Sequence, residues 1–183
     1  NKAKKLLPYF VIISNIKSKN PKRVIEGNER VIKARLSDAE YFYHKDLQTP
    51  LVSYCDKLKS VVFQTKLGSL YDKTLRLKSL SAFIASKIKA NVEHSQRAAE
   101  LSKCDLMTSM VWEFPELQGV MGSYYALETE DKEVAIALKE QYFPRFSKDK
   151  IPTTDVGCAL ALADRLDNLV GLFGINKIPS GEK

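Results

Sequence analysis

The sequence predicts a mainly α-helical fold, a helical bundle preceded by a short β segment. Two observations favour this class: apolar residues recur at helical spacing through most of the chain, and neither an internal repeat nor a low-complexity tract interrupts the pattern. With 183 residues, 44% of them hydrophobic, the chain is long enough to bury one well-filled core. We expect the edge of a preceding β-containing region and a linker at residues 1–27, and one helical domain at residues 28–183.

The first elements are a strand and a helix. The run Leu6 to Ile16 is apolar and rich in β-forming residues, which predicts a strand. A polar turn region follows. Asn28 can cap an amphipathic helix, which we expect to start there, and Pro50 ends it.

Three further helices are predicted before Pro115, over residues 51–63, 69–89 and 94–112. The second has the clearest periodic face in the chain. The third should place Trp112 on its buried side. The apolar face of the second helix consists of Leu70, Leu77, Leu80, Ile84 and Ile88.

Residues 113–125 should form a bent connection, because they contain a proline and two glycines. Their aromatic side chains, with Trp112, could stack on RNA or face a partner, but packing in the core is the interpretation we favour. A helix over residues 131–142 follows. Thr153 or Thr154 should cap the last helix, which extends to Phe173 and stops at Gly174. Its predicted buried side is Ala159, Ala163, Leu166, Val170 and Phe173.

The net charge of +7 is unevenly distributed. Residues 1–35 hold ten Lys and Arg against two Glu, whereas residues 104–183 hold eight against thirteen acidic residues. The basic part would attract a polyanion with strong salt dependence, although lysines that only keep a domain soluble give the same pattern. The acidic part could face another protein.

The composition argues against several site classes. Three cysteines without a CxxC spacing predict neither a disulfide framework nor a zinc knuckle and fit a reducing cytoplasm. Two isolated histidines are too few for most transition-metal sites. The longest apolar run falls far short of the roughly 20 residues of a membrane span, so we expect no membrane crossing.

The usual catalytic signatures are missing from the sequence. What remains are charged residues on helix faces that otherwise look buried, notably Lys73 and Asp105. A lone buried charge costs several kcal/mol, so we expect Lys73 and Asp105 to meet, unless the Lys73 ammonium reaches solvent along its stem. Asp164 and Asp167 could join the same pocket or lie on the solvated face of the last helix.

Three stretches, KTLRL (73–77), AAELSKCDL (98–106) and ALADRLDNL (161–169), resemble the HD superfamily of helical metal-dependent phosphohydrolases. In that family a His, a His-Asp pair and a distant Asp bind the metal. The resemblance places Lys73 at the first His and Cys104 at the second, while Asp105 and Asp164 match the acids. Both imidazoles are absent, so we expect a degenerate, metal-free HD-like bundle without catalytic, cofactor-binding or metal-binding residues.

A closer resemblance covers nearly the whole chain. The stretches NERVIKARLSDAEYFYHKDL (28–47), KLKSVVFQTKLGSLYDK (57–73), MVWEFPELQGVMGSYYAL (110–127), YFPRF (142–146) and ALADRLDNLVGLFGINKIPSGEK (161–183) resemble the β subunit of bacterial glycyl-tRNA synthetase. Because the chain starts at Asn1 rather than a methionine, we expect it to be an internal piece of such a subunit.

This resemblance implies a tRNA-binding and assembly module in a cytoplasmic hetero-oligomer with the glycyl-tRNA synthetase α subunit. Glycine activation and ATP use would belong to that α subunit, and this chain would need no cofactor. An independent HD-type metal-dependent phosphohydrolase is the alternative, and a purely structural interaction domain is a third reading. The candidates for contact with tRNA phosphates are Arg30, Lys33, Arg35, Lys66 and Arg76.

Overall fold

The structure, a computed structural model, describes residues 7–178. By backbone contacts the chain divides into two units, Asn1–Asp38 and Ala39–Lys183. This division lies later than the predicted boundary after residue 27, which remains a prediction. Helices dominate the described chain, so the predicted mainly α class is confirmed.

The predicted amino-terminal strand is wrong for the residues described. Residues 7–20 have no regular secondary structure. A strand needs a neighbour to take its hydrogen bonds, and the sheet found within residues 7–178 pairs only two short strands elsewhere in the chain. An apolar β-forming composition therefore does not make a strand here.

Helix α1, Pro21–Leu47, begins earlier than the predicted start at Asn28. The Asn20 side-chain oxygen accepts the Arg23 N–H at 3.3 Å, and Pro21 at the first helical position has no N–H to leave unpaired. Asn28 lies inside the helix, where its amide donates to the Val24 carbonyl at 2.8 Å.

The helix predicted over residues 51–63 is a 3₁₀ helix, Leu51–Ser60. Its buried residues Leu51, Tyr54 and Leu58 are three and four positions apart, a spacing that suits either helix type, so the sequence pattern could not separate them. The chain then forms an antiparallel pair of strands, β1 (Val62–Gln64) and β2 (Gly68–Ser69).

Helix α2, Leu70–Ile88, is confirmed. Its start is a reciprocal cap, in which the Ser69 hydroxyl accepts the Asp72 N–H and the Asp72 carboxylate accepts the Ser69 N–H at 2.7 Å. Of its predicted apolar face, Leu77 is fully buried whereas Ile88 is exposed.

The single helix predicted over residues 94–112 is wrong. The chain forms α3 (Val92–Leu101), a 3₁₀ turn (Cys104–Met107) and α4 (Ser109–Glu113). The break is held by tertiary contacts, because the carboxylate of Asp46 accepts the N–H groups of Ser109 and Met110 at 2.9 and 2.8 Å. The spacing of apolar residues in the sequence gives no information about these contacts.

The bent connection over residues 113–125 contains a 3₁₀ turn (Pro115–Leu117) and then helix α5, Val120–Ala126. Gly119 has a φ of 77°, and a Cβ there would lie 2.5 Å from the Tyr142 ring. This position therefore requires glycine.

Helix α6, Lys132–Glu140, and helix α7, Asp155–Gly174, agree with prediction, and Thr154 caps α7. Helix α2 packs against α3 and α7, and α6 packs against α5 and α7, which encloses the core. The predicted buried side of α7 is right for Ala159 and Ala163, but Leu166, Val170 and Phe173 are exposed. Within residues 7–178, the helices all fall short of the length and apolarity that a membrane span requires.

Candidate functional site

A cluster of buried charges lies between α2 and α7. The Lys73 ammonium is 2.9 Å from the Asp167 carboxylate, 3.2 Å from that of Asp164 and 2.8 Å from the Asn168 side-chain oxygen. Lys73 is almost fully buried, with 2% of its surface exposed. The expected meeting of Lys73 with Asp105 is therefore wrong, and its partners are Asp164 and Asp167, which do not lie on a solvated face.

A second lysine, Lys103, completes this cluster and was missed by sequence reasoning. Its ammonium lies 3.2 Å from the same Asp164 oxygen and donates to the Gln141 side chain at 2.8 Å. It also lies 4.6 Å from the centre of the Tyr142 ring. Lys103 occupies the break after α3, so a prediction of one continuous helix gave no reason to place it in the interior.

The ionisation of the two acids follows from these contacts. Burial raises the pKa of Asp164, but the charges of Lys103 and Lys73 outweigh that effect and hold it below its usual value. Burial likewise raises the pKa of Asp167, and the hydrogen bonds from Arg76 and Lys73 more than offset it, so the net shift is downward. Burial lowers the pKa of Lys103. Both carboxylates are thus charged at neutral pH.

Asp105 performs a different task. Its Oδ2 accepts the N–H groups of Gly119 and Gly122, which form the first turn of α5. Its Oδ1 is buried and has no hydrogen-bond partner among the residues that the structure describes. Burial raises the pKa of this carboxyl despite the two amides. Asp105 therefore stabilises a helix start.

Cys104 is not part of the charged cluster. Its thiol donates to the Glu100 carbonyl at 3.7 Å, and the same carbonyl accepts the Cys55 thiol at 3.7 Å. Of the four positions that resemble HD ligands, the structure brings Lys73 and Asp164 together, while Asp105 and Cys104 have partners of their own.

The residues present do not fit a bound divalent metal. Among residues 7–178, no group of three or more His, Cys, Asp or Glu side chains converges. Asp164 is flanked by two ammonium groups, which neutralise it and would repel a cation. Metal-assisted hydrolysis at these positions therefore lacks its ligand set.

The predicted tRNA-contact residues fall into two groups. Arg30, Lys33 and Arg35 are exposed on α1, and Lys66 is exposed in the turn between β1 and β2. The guanidinium of Arg76, in contrast, is bound to Asp167 at 2.6 Å and to the Leu67 carbonyl at 3.0 Å. Arg76 thus already has an acidic partner within the fold.

The favoured core packing of the aromatic residues is right for two and wrong for two. Tyr125 is buried and stacks on Tyr43, with ring centres 6.0 Å apart. Phe114 is half-buried and packs against the core. Trp112 is 80% exposed and Tyr124 is 56% exposed. The burial of Trp112 was overestimated because residues 94–112 were predicted to form one continuous helix.

Trp112 borders a surface pocket of about 330 Å³. Lys45, which is exposed, lies on the same rim, and the hydroxyl residues Thr108 and Ser109 complete the polar part of the lining. An exposed indole beside an ammonium is suited to a nucleotide, because the base can stack on the ring while the lysine meets the phosphate. We name this surface the Trp112–Lys45 pocket. Its remaining lining residues are Phe42, Leu106 and Met107.

Comparison with known proteins agrees with the resemblance seen in the sequence. The family model described as "Glycyl-tRNA synthetase beta subunit" matches residues 1–183. The chain is 56% identical over 180 residues to the glycine–tRNA ligase beta subunit of Hahella chejuensis, covering 98% of this chain and 26% of that protein. It is 56% identical over 179 residues to that of Chromohalobacter salexigens, covering 97% and 26%.

A third relative, from Buchnera aphidicola subsp. Acyrthosiphon pisum, is 56% identical over 184 aligned residues, covering 100% of this chain and 27% of the relative. The chain thus spans about a quarter of the length of the curated relatives that it matches. With a family match over all its residues, the chain belongs to the glycyl-tRNA synthetase beta subunit family.

Proposed function

We propose that this chain is a tRNA-binding and assembly module of the glycine–tRNA ligase β subunit and serves glycyl-tRNA synthesis. The observation that carries the tRNA part is the Trp112–Lys45 pocket, where an exposed tryptophan adjoins an exposed lysine. In this proposal ATP is used by the α subunit, this chain needs no cofactor, and the assembled hetero-oligomer works in the cytoplasm.

The binding energy would come from two sources. Stacking of a base on an aromatic ring contributes about 1–3 kcal/mol, which Trp112 can provide. Exposed cations add a salt-dependent attraction to phosphates, and Arg30, Lys33, Arg35 and Lys66 are exposed. Recognition of tRNA would thus require no side chain that forms or breaks a covalent bond.

The fluorescence of Trp112 offers a direct test of tRNA binding, because Trp112 is the only tryptophan of the chain. Glycine tRNA titrated into the chain should quench its fluorescence, and binding should weaken when NaCl rises from about 50 to about 200 mM. Trp112→Ala, followed by gel shift, should weaken binding about tenfold.

Phe83→Ala is the matched control. Phe83 is also exposed, at 59%, and has a lysine 5.3 Å from its ring centre. It should leave affinity unchanged. Equal affinities for both variants and the parent would refute a role for the pocket, and absence of binding at low salt would refute tRNA binding by the chain.

The assembly part of the proposal is supported by a second surface. Along α7, Leu162, Leu166, Leu169 and Phe173 are all 42–53% exposed, and their spacing places them on one helical face. An uncovered apolar stripe of this kind is typical of a protein interface. We assign it to the α subunit, because the family name of the relatives is that of one subunit of an assembly.

The stripe is tested by charge insertion. Leu169→Glu should abolish co-elution of the chain with the purified α subunit, since a carboxylate cannot be desolvated in an apolar contact without a partner. Leu75→Glu on α2, at a position that is 49% exposed, is the control and should not affect co-elution. Co-elution of the Leu169 variant at the parent level would remove the stripe from the proposal.

The alternative, an independent HD-type phosphohydrolase, is weakened by the two ammonium groups around Asp164. Manganese-dependent hydrolysis of a phosphoester by the purified chain, lost in Asp164→Asn, would revive it. We expect no such turnover.

A further inference from the structure

Two cysteines that are distant in sequence share one hydrogen-bond acceptor. The thiols of Cys55 and Cys104 both donate to the Glu100 carbonyl, each at 3.7 Å. Both sulfur atoms therefore lie within 3.7 Å of one carbonyl oxygen in the native fold. The third cysteine, Cys158, instead donates to the Pro152 carbonyl at 3.8 Å.

The two thiols differ in access. Cys104 is fully buried, with 0% exposure. Cys55 is half-buried and lines a surface pocket of about 210 Å³ together with Thr74 and Lys78. A small polar reagent that enters this pocket reaches Cys55 first, because Cys104 is buried and is not among the residues that line it.

We propose that Cys55 and Cys104 form an oxidisable dithiol, a modification site at which hydrogen peroxide converts the two thiols to an intramolecular disulfide. The Cys55 thiolate attacks one peroxide oxygen, the O–O bond breaks, and hydroxide leaves to take up the thiol proton as water. Cys55 is then a sulfenic acid. Cys104 attacks its sulfur, an S–S bond forms, and the second oxygen leaves as water with the Cys104 proton. Each sulfur is oxidised by one electron, and the peroxide is reduced by two.

The electrostatics of the pair agree with this order. The effect of the neighbouring Cys104 side chain lowers the pKa of Cys55 and outweighs burial, which acts in the opposite direction. The effect of Cys55, together with burial, raises the pKa of Cys104. The accessible thiol is thus also the better nucleophile.

The disulfide would join two segments that otherwise only pack together. Cys55 belongs to the 3₁₀ helix Leu51–Ser60, and Cys104 begins the 3₁₀ turn Cys104–Met107. That turn adjoins Lys103 and contains Asp105. Oxidation would therefore fix the segment that carries both of these buried charges. This inference does not depend on tRNA binding.

The test uses hydrogen peroxide on the folded chain, followed by alkylation of the remaining thiols in denaturant and peptide mass mapping. We expect a Cys55–Cys104 linked peptide with the loss of two hydrogen atoms, and alkylation of Cys158 alone. The disulfide should form about tenfold or more faster in the folded chain than in urea, because the fold places the sulfurs together. Equal rates, or a linkage that includes Cys158, would overturn the proposal.

Variants separate the steps. Cys158→Ser should form the disulfide at the parent rate. Cys104→Ser should stop at the Cys55 sulfenic acid, which dimedone traps, and Cys55→Ser should leave Cys104 unmodified because it is buried. Dimedone labelling of Cys104 in the folded Cys55→Ser variant would contradict the assigned order of attack.

Discussion

Two sets of buried carboxylates hold this helical unit together by different means. Asp164 and Asp167 are bound by the ammonium and guanidinium groups of Lys73, Lys103 and Arg76. Asp46 and Asp105 accept backbone N–H groups at the starts of α4 and α5. Glu140 does the same for the two residues that precede α7, Thr153 and Thr154.

The two sets should differ in the substitutions that they tolerate. A carboxylate paired with a buried cation depends on that cation, because removing either partner leaves an uncompensated charge. For a carboxylate that accepts backbone amides, the cost of a substitution depends on how many of its two oxygens accept hydrogen bonds. Asp46 uses both oxygens, whereas Asp105 uses one.

Lys73→Met should cost about 3–5 kcal/mol of the free energy of unfolding, because it breaks a buried ion pair and leaves Asp164 and Asp167 undercompensated. Urea denaturation measures the change. Lys87→Met, at an exposed position of the same helix, should change stability by about 0.5 kcal/mol or less. Equal effects of the two substitutions would show that the cluster is not a source of stability.

Asp46→Asn should cost about 2–3 kcal/mol, measured in the same way. One oxygen accepts the Ser109 N–H and the other accepts the Met110 N–H and the Tyr125 hydroxyl. Either orientation of the new amide therefore points its NH₂ group at a donor. A loss no larger than that of Asp105→Asn would contradict the backbone-held assignment.

Acid should weaken the charge-held set. The folded-state pKa values of Asp164 and Asp167 lie below their usual value, so their stabilising contribution is present above the unfolded pKa near 3.9 and is lost as the pH falls through the folded values. The free energy of unfolding should decline across that acidic range. In Lys73→Met the decline should be shallower, and an unchanged slope would show that the lysine does not set these pKa values.

Asp105→Asn should cost about 1 kcal/mol or less. The asparagine oxygen can keep both glycine amides, and its NH₂ group takes the place of an oxygen that has no partner. Burial already raises the pKa of this carboxyl, which reduces the loss when its charge is removed. A loss as large as that of Asp46→Asn would indicate that the second oxygen has a role that the hydrogen bonds do not reveal.

Much of the fold was predictable because its signals are local. The periodicity of α2, α6 and α7 depends on neighbours three and four residues away, and the cap of α7 by Thr154 involves a residue three positions on. The sequence also indicated that Lys73 would be buried with acidic partners, and that Asp164 and Asp167 could join the same pocket. Their identity as partners could not be derived, since they lie 91 and 94 positions from Lys73.

Local signals predict the helical class and most helix positions, because amphipathic spacing and capping act within a few residues, and the sequence motifs indicate the family. Tertiary contacts set where α3 ends, which acids meet Lys73 and Lys103, and why Trp112 faces solvent. Those outcomes depend on long-range hydrogen bonds such as those from Ser109 and Met110 to Asp46. A buried polar group takes whichever partner the packed fold provides, and local periodicity contains no information about that partner.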